Sequence, residues 1–281
     1  MKKINIILIL ILLYFGACSQ KTATFDELVQ SGQKSLTKEN YAEARELLKQ
    51  ALKIKPSDRN ALYFLGLAYQ RDHIFDSALI YYKRGDLLYP KDRELNLGVF
   101  RCAMETKDWK NARDAVKVLI ETGDPKSKYI DVLISLNISL KLYTVAFRDL
   151  KEKLNLTPDD PNTYLQLSNV AAQIDSLDYA LEVMDMALAR FGEKQEFMMN
   201  KAMYLTAMRE YLKAEKLLRK ILSQDTTVIP VKINLANVLS AQKNRDKKME
   251  AYRLYKELQP LVSDVFKIDS TLKSLEIELN L

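Results

Sequence analysis

Few side chains in this sequence could take part in a chemical reaction. The chain has two cysteines, Cys18 and Cys102, and a single histidine, His73. One histidine without a Cys-x-x-Cys pair cannot supply the usual ligand sets for zinc. The glycine motifs that bind phosphates and dinucleotides, or that present a nucleophilic serine, are also missing from the sequence. We therefore expect no enzyme activity, no metal site and no cofactor.

The remaining reactive groups have structural interpretations. Asp159 and Asp160 form an acidic pair between two prolines. Paired carboxylates can act as general acid and base, but Asp beside proline also favours turns and caps helices, which accounts for this pair without catalysis. His73 is expected in a solvated turn. Cys102 lies on a helical pattern of apolar residues and is expected to be a small buried core residue.

The first seventeen residues are typical of a secretion signal. Lys2 and Lys3 give a positive start, and Ile4–Phe15 is an almost entirely apolar run. Gly16-Ala17 supplies the small residues that a signal peptidase needs. The run is shorter than the ~20 residues that cross a membrane comfortably. A simple N-terminal membrane anchor is the alternative interpretation.

The end of this segment, Phe15-Gly16-Ala17-Cys18, resembles the lipobox of bacterial lipoproteins, although Phe15 stands where leucine is usual. The resemblance implies that residues 1–17 are a lipoprotein signal peptide. Cys18 would then become the first mature residue, carry diacylglycerol and an amide-linked acyl chain, and begin a short tether, residues 18–24. Each buried methylene contributes ~0.8 kcal/mol, so several acyl chains anchor firmly. Ser19 replaces the Asp that retains many such lipoproteins in the inner membrane, which points to the outer membrane, with the protein facing the periplasm.

The composition favours helices and gives no sign of nucleic-acid binding. Apolar residues make up 48% of the chain, whereas glycine and proline occur only 7 times each. A β-sandwich or barrel of this length would need more turn residues. The formal net charge of +6 is spread over 281 residues. An ordinary solvated surface accounts for this charge better than a nucleic-acid footprint does.

Two columns of residues repeat every 34 positions through most of the chain. One column is alanine throughout, and the other, three residues earlier, is aromatic at five of its six positions. The alanines are Ala44, Ala78, Ala112, Ala146, Ala180 and Ala214, and the second column is Tyr41, Phe75, Trp109, Tyr143, Leu177 and Tyr211. A fixed period of this length is the signature of a repeat architecture, in which each unit buries its apolar face against its neighbours.

These columns resemble the tetratricopeptide repeat family, most clearly in residues 59–91, which carry Leu65-Gly66, Tyr69, Ala78 and Pro90. The resemblance implies an all-α fold, a right-handed α-solenoid of about seven helical hairpins. The solenoid would occupy residues 25–260, with repeats starting near 25, 59, 93, 127, 161, 195 and 229. The seventh repeat has Lys248 in the alanine column, so it is degenerate or has slipped in register. We expect residues 261–281 to form a C-terminal capping helix; a partner-binding tail is the alternative.

The column residues also predict how each hairpin packs. Gly32 and Ala44 are small because the two helices of the first hairpin approach most closely there. Tyr41 is expected to fill the wedge where the hairpin opens. Pro56 cannot continue a helix, so it ends the hairpin and begins the next turn.

In such a stack, partners are expected in a concave groove lined mainly by the first helix of each hairpin. The positions not needed for packing are the second, fifth, sixth, ninth and twelfth of each unit. They give nine candidate residues: Tyr63, Leu67, Arg101, Asn169, Met199, Asn200, Met203, Asn234 and Asn237. The pattern that clamps a C-terminal carboxylate in chaperone-binding members, Lys and Asn at the fifth and ninth positions, is missing, because no fifth position carries Lys.

Four of the nine candidates are asparagines, which are expected near one end of the groove. An asparagine amide both donates to and accepts from a peptide backbone, so a row of them could hold an extended segment with little sequence demand. Met199 and Met203 would add an adaptable apolar floor. The alternative is that the asparagines simply solvate a helix face.

The sequence therefore predicts a membrane-anchored scaffold or adaptor lipoprotein. Its partners would be other envelope proteins or peptides bound through the concave groove, and the membrane through the N-terminal lipid. Lipoproteins that resemble it serve in pilus, secretion or outer-membrane machinery. A periplasmic lipoprotein that binds a glycan or a small ligand is the alternative, which Tyr63, Phe64 and Tyr69 suggest.

Overall fold

The computed structural model describes residues 23–262 and 268–281, and throughout these residues the regular structure is helical. The chain divides into two compact units, one ending at Tyr129 and the other beginning at Ile130. The signal peptide, Cys18 and nearly all of the tether lie outside the described residues. So do Ser263 to Lys267, where the start of the capping helix was expected.

The N-terminal unit contains three helical hairpins. Its α-helices are α1 (Phe25–Thr37), α2 (Tyr41–Ile54), α3 (Arg59–Arg71), α4 (Phe75–Leu88), α5 (Arg93–Glu105) and α6 (Trp109–Glu121). Each odd-numbered helix pairs with the helix that follows it, and the first helices of neighbouring hairpins also touch. A 3₁₀ turn, Lys126–Lys128, closes the unit.

The C-terminal unit continues the same pattern. Its helices are α7 (Ile130–Ser139), α8 (Tyr143–Leu156), α9 (Pro161–Gln173), α10 (Leu177–Phe191), α11 (Gln195–Ala207), α12 (Tyr211–Gln224), α13 (Ile229–Ser240), α14 (Arg245–Val262) and α15 (Ile268–Leu279). Four hairpins, from α7–α8 to α13–α14, precede the single helix α15, which packs on α14. The all-α fold of repeated hairpins that the sequence predicts is therefore confirmed.

Carboxylates or hydroxyls immediately before the first helices determine where several hairpins begin. Thr24, Asp58, Asp92 and Asp160 precede α1, α3, α5 and α9, and each side chain accepts a hydrogen bond from a backbone N–H of the first turn. Such caps satisfy donors that a helix leaves unpaired at its start. The capping interpretation of Asp160 is thus correct.

The fourth hairpin departs from this pattern. Lys126 occupies the cap position there, and Lys cannot accept a hydrogen bond. A missing cap does not by itself delay a helix, because Lys194 stands in the same column and α11 still begins at Gln195. After Lys126 the chain forms the 3₁₀ turn, and α7 starts at Ile130 and has only 10 residues. The repeat expected from residue 127 therefore begins its α-helix later.

The alanine column forms the centre of each hairpin. All six alanines are fully buried, whereas the six residues of the second column are half-buried. Gly32 is small for the expected reason, since a Cβ there would lie 2.7 Å from Cγ of Leu48. The ring of Tyr82 packs between two first helices, because Cβ atoms at Gly66 and Gly98 would lie 2.9 and 2.5 Å from its ring carbons.

The turn inside each regular hairpin contains a residue in the left-handed conformation, and none of these residues is glycine. They are Glu39, His73, Lys107, Lys141, Asp175 and Arg209, with φ from 57° to 63°, again 34 residues apart. Left-handed backbone costs an L-residue roughly 1–2 kcal/mol. Tight packing of the two helices that each turn joins must offset this cost.

The last helices differ in their bounds from the expected division at residue 260. Helix α14 continues through Pro260 and ends two residues later at Val262. Lys248 faces the carboxylate of Glu278 on α15, and Ala251 and Tyr255 provide the buried face of α14 in its place. Leu272, Leu275 and Leu279 of α15 join the apolar core of the C-terminal unit.

Candidate partner-binding site

All nine candidate residues lie on first helices, and none of them is buried. Tyr63, Leu67 and Arg101 belong to the N-terminal unit. The other six, from Asn169 to Asn237, belong to the C-terminal unit. Of the fifth-position residues, Ile233 is 6% exposed and contributes to the core, so that position does not face outward in the degenerate seventh hairpin.

Two adjoining cavities run along the first helices of the C-terminal unit. The larger, of about 770 Å³, lies over α9 and α11, and the smaller, of about 310 Å³, lies over α11 and α13. They share Met203 and Ala207 as lining residues, and we call them together the C-terminal groove. Four candidates line it: Asn169, Met203, Asn234 and Asn237.

Tyrosines on neighbouring helices orient two of these asparagines. The hydroxyl of Tyr204 donates to Oδ1 of Asn169 over 2.7 Å, and that of Tyr255 donates to Oδ1 of Asn237 over 2.5 Å. Burial raises the pKa of both phenols, so both remain proton donors. With Oδ1 engaged in this way, the Nδ2 groups are the amide atoms that remain to donate to a ligand.

The third asparagine of the groove is also engaged. Nδ2 of Asn234 lies 3.3 Å from the sulfur of Met199. The expected row of amides that both donate and accept therefore mainly donates. The oxygen atoms of Asn169 and Asn237 already accept hydrogen bonds from tyrosines within the protein. Met199 and Asn200 line a separate recess of about 540 Å³ at the start of α11.

Sequence reasoning missed several residues of the groove. Gln166 and Gln173 of α9 line the larger cavity together with Tyr204 and Ile138. Gln166 occupies a sixth position, so the same rule could have found it. Tyr204 occupies the tenth position of its repeat, which the pattern assigns to the core. Its hydroxyl reaches the groove because the side chain is long.

The candidates of the N-terminal unit belong to another surface. Leu67 lines a recess of about 550 Å³ with Leu36, Phe64 and Arg71 among others. The guanidinium of Arg59 lies 5.2 Å from the ring centre of Tyr63, which makes that ring part of an internal contact. Arg101 is exposed on α5.

The aromatic residues behind the glycan alternative do not form one open platform. Tyr69 is half-buried and stacks on Tyr81, with ring centres 5.5 Å apart. Arg45 and Lys49 approach the Tyr69 ring at 5.2 and 5.8 Å. Tyr69 is thus engaged within the N-terminal unit.

Three further properties of the described residues concern metals, the thiol of Cys102 and the membrane. No group of three or more His, Cys, Asp or Glu side chains that could hold a metal ion occurs in residues 23–262 and 268–281. Burial raises the pKa of the Cys102 thiol to about 12, so the thiolate is disfavoured. Over the same residues, no helix combines the length and the apolar character required to cross a membrane.

One segment of the chain matches a known protein family. Residues 32–72 match the family model described as TPR repeat, where TPR stands for tetratricopeptide. No curated protein matches the sequence significantly.

Solved structures similar to this chain include a tetratricopeptide repeat protein from Parabacteroides merdae, with 16% identity, a TM-score of 0.46 and coverage of 89% of this chain and 98% of that one. Yeast Tom70 shares 17% identity with a TM-score of 0.49, over 91% of this chain and 54% of that one. YrrB, described as a TPR protein with an unusual peptide-binding site, shares 15% identity with a TM-score of 0.47, over 66% of this chain and 95% of that one. The sequence of residues 32–72 thus resembles a TPR repeat, and a helical hairpin recurs through the described residues.

Proposed function

We propose that this protein is a membrane-anchored scaffold lipoprotein that binds other envelope proteins or peptides during the assembly of pilus, secretion or outer-membrane machinery. The observation that carries the binding role is the C-terminal groove. Amide donors and an exposed methionine lie there side by side on first helices. The lipobox-like sequence at Cys18 supports the anchor and the envelope location.

The composition of the groove favours an extended polypeptide as its occupant. Asn169 and Asn237 offer Nδ2 donors, which match the carbonyl oxygens of a peptide backbone. Met203 is 49% exposed between them and offers a flexible apolar contact for a side chain. Hydrogen bonds to the backbone combined with one adaptable apolar contact favour binding with modest sequence demand.

A photocrosslinker placed at position 203 in cells tests this role. We expect crosslinks from position 203 to a small, reproducible set of envelope proteins. The matched control is position 186, because Met186 is also exposed, at 43%, but lies on the second helix α10. Equal products from both positions, or none from position 203, would argue against the groove as the binding surface.

A thermal-shift titration separates the scaffold from the glycan-binding alternative. Muropeptides should leave the melting temperature unchanged if the groove takes protein segments. A saturable rise would favour the glycan-binding lipoprotein.

The anchor is tested by replacing Cys18 with alanine. We expect the variant to remain as an uncleaved precursor or to leave the membrane fraction, because the thiol that would carry the lipid is gone. Unchanged processing together with unchanged membrane association would refute the lipoprotein assignment.

A further inference from the structure

One edge of the N-terminal unit gathers the ends of two second helices and the start of the described chain. Lys55, just after α2, places its ammonium 4.1 Å from the ring centre of Phe25, the first residue of α1. Arg84 of α4 donates to the carbonyl oxygen of Pro56 over 2.5 Å, and Tyr89 donates to that of Ser57 over 2.9 Å. We call this surface, residues 53–57 and 84–91 beside Phe25, the exit edge.

The exit edge exposes large apolar side chains. Leu87 is 82% exposed, Ile54 is 52%, Leu88 is 45% and Tyr89 is 38%. Single exposed apolar residues are common on protein surfaces, but these four lie at the ends of two second helices that the bonds from Arg84 and Tyr89 link. An aromatic ring with a polar tip beside branched aliphatic side chains is the composition that proteins place at a membrane–water interface.

The same edge has an excess of accessible positive charge. Lys53, Lys55, Arg84 and Lys91 are exposed. The one carboxylate within residues 53–57 and 84–91, Asp86, is half-buried and accepts a hydrogen bond from Asn96. Just outside the edge, Arg59 pairs with both Asp92 and Glu94.

The first turn of α1 contributes two more acids to this edge. Glu27 accepts from the backbone N–H of Thr24 over 2.8 Å, and both Asp26 and Glu27 are exposed. The positive excess therefore belongs to residues 53–57 and 84–91, where every exposed charged side chain is basic.

The chain itself brings this edge close to the proposed lipid. Thr24 follows Cys18 by six positions in the sequence. A fully extended chain spans at most ~3.5 Å per residue, so a lipid on Cys18 would hold the start of α1 within about 25 Å of its attachment point.

We propose that the exit edge docks on an anionic phospholipid surface, with Lys53, Lys55, Arg84 and Lys91 at the phosphates and Ile54, Leu87 and Leu88 at the acyl boundary. The inference rests on the proposed lipid anchor at Cys18. It goes further, because a tether alone would leave the anchored domain free to tumble above the bilayer, whereas docking fixes which face meets the lipid.

The test uses the acylated protein in vesicles of phosphatidylglycerol and phosphatidylethanolamine. A fluorescent label at Leu87→Cys is compared with one at Ile74→Cys, which is 39% exposed just before α4, at the opposite end of that helix. Cys102 is fully buried and does not compete for the label. We expect brominated lipids to quench the label at position 87 strongly and the label at position 74 weakly.

Charge reversal supplies the second measurement. The triple variant Lys53→Glu, Lys55→Glu, Lys91→Glu should abolish the difference in quenching, because each cation near an anionic surface favours the docked state roughly fivefold. The matched control reverses Lys38, Lys107 and Lys110, which are exposed in the turns inside the hairpins or in the first turn of α6, and should retain the quenching at position 87.

The outcomes separate the two proposals. Acylated protein that sediments with vesicles but shows equal, weak quenching at positions 87 and 74 overturns the docking and leaves the anchor intact. Protein that lacks the acyl mass, or fails to sediment with the vesicles, overturns both. A loss of quenching in the control triple equal to that in the exit-edge triple also overturns the docking.

Discussion

Tyr204 and Tyr255 determine what the C-terminal groove offers to a ligand. Each phenol donates to the Oδ1 atom of a groove asparagine, so the asparagine nitrogens remain available outward. A groove that mainly donates suits backbone carbonyls or carboxylates rather than amide N–H groups. Tyr204 and Asn169 are 35 residues apart in the sequence, and no local pattern could have paired them.

We expect the Tyr204–Asn169 hydrogen bond to contribute about 1 kcal/mol to the free energy of unfolding. The double-mutant cycle of Tyr204→Phe and Asn169→Ala should show a coupling of that size in urea denaturation. Additive effects of the two single variants would mean that Tyr204 does not orient the amide. Tyr255→Phe with Asn169→Ala serves as the control pair and should show no coupling.

Glu215 is the buried carboxylate that ties the sixth hairpin to the seventh. Burial alone would raise its pKa, but hydrogen bonds from Gln242, Lys247 and Arg219 outweigh burial and lower the pKa to about 2. Because the folded pKa is lower than the unfolded one, the stabilisation is complete above the unfolded value of ~4.3 and is lost as the pH falls towards 2.

Glu215→Gln should therefore lower the free energy of unfolding at neutral pH, on the order of 3 kcal/mol, and the difference from the wild type should shrink between about pH 4.5 and pH 2. Urea denaturation as a function of pH measures this. Glu46→Gln, whose side chain is 68% exposed, is the control and should follow the wild type. A difference that does not change over this pH range would contradict the assignment.

At the scale of helices and turns, the sequence predicted the packing better than it predicted the turns. The alanine column and Gly32 identified the close approach of helices, since a small residue kept at a fixed period indicates that two backbones come near each other there. The left-handed turn residues gave no such signal, because glycine is absent from all six positions. The late start of α7 could not have been read from the cap column, because Lys126 and Lys194 stand at the same position and only the helix after Lys126 begins late.

Lys107→Gly should raise the free energy of unfolding by up to about 1 kcal/mol, because glycine adopts φ of 58° without the steric cost that lysine has there. Lys117→Gly, an exposed position within α6 of the same hairpin, should lower it by a similar amount. Thermal denaturation of both variants provides the measurement. Destabilisation by Lys107→Gly would show that the turn lysine makes a contact that outweighs its backbone strain.

For the molecule as a whole, contacts between neighbouring hairpins carry the stability. A substitution that destabilises one hairpin should therefore also destabilise the adjacent hairpins, and the effect should decrease with distance along the chain. Helix α15 provides the clearest case, because it ends the described C-terminal unit and buries four apolar side chains there: Ile268, Leu272, Leu275 and Leu279.

Leu275→Ala should cost about 2–4 kcal/mol of unfolding free energy, with faster hydrogen exchange confined to α13, α14 and α15. Ile277→Ala changes a side chain that is 80% exposed on the same helix and should leave exchange unchanged. Equal acceleration in α9 after Leu275→Ala would show that the C-terminal unit opens as one cooperative body.

The ring of Tyr82 is held between the backbones of α3 and α5, so the rate of its rotation should report how often these two helices separate. Gly66 and Gly98 both lie against the Cδ1 and Cε1 atoms of the ring, and the hydroxyl donates to Gln70 over 2.8 Å. We therefore expect the ring to rotate by half a turn only when the two helices separate briefly. Its two edges should give distinct resonances in NMR spectra, which merge on warming. The temperature at which the two resonances merge would report how often neighbouring hairpins separate transiently, on a timescale far shorter than that of unfolding.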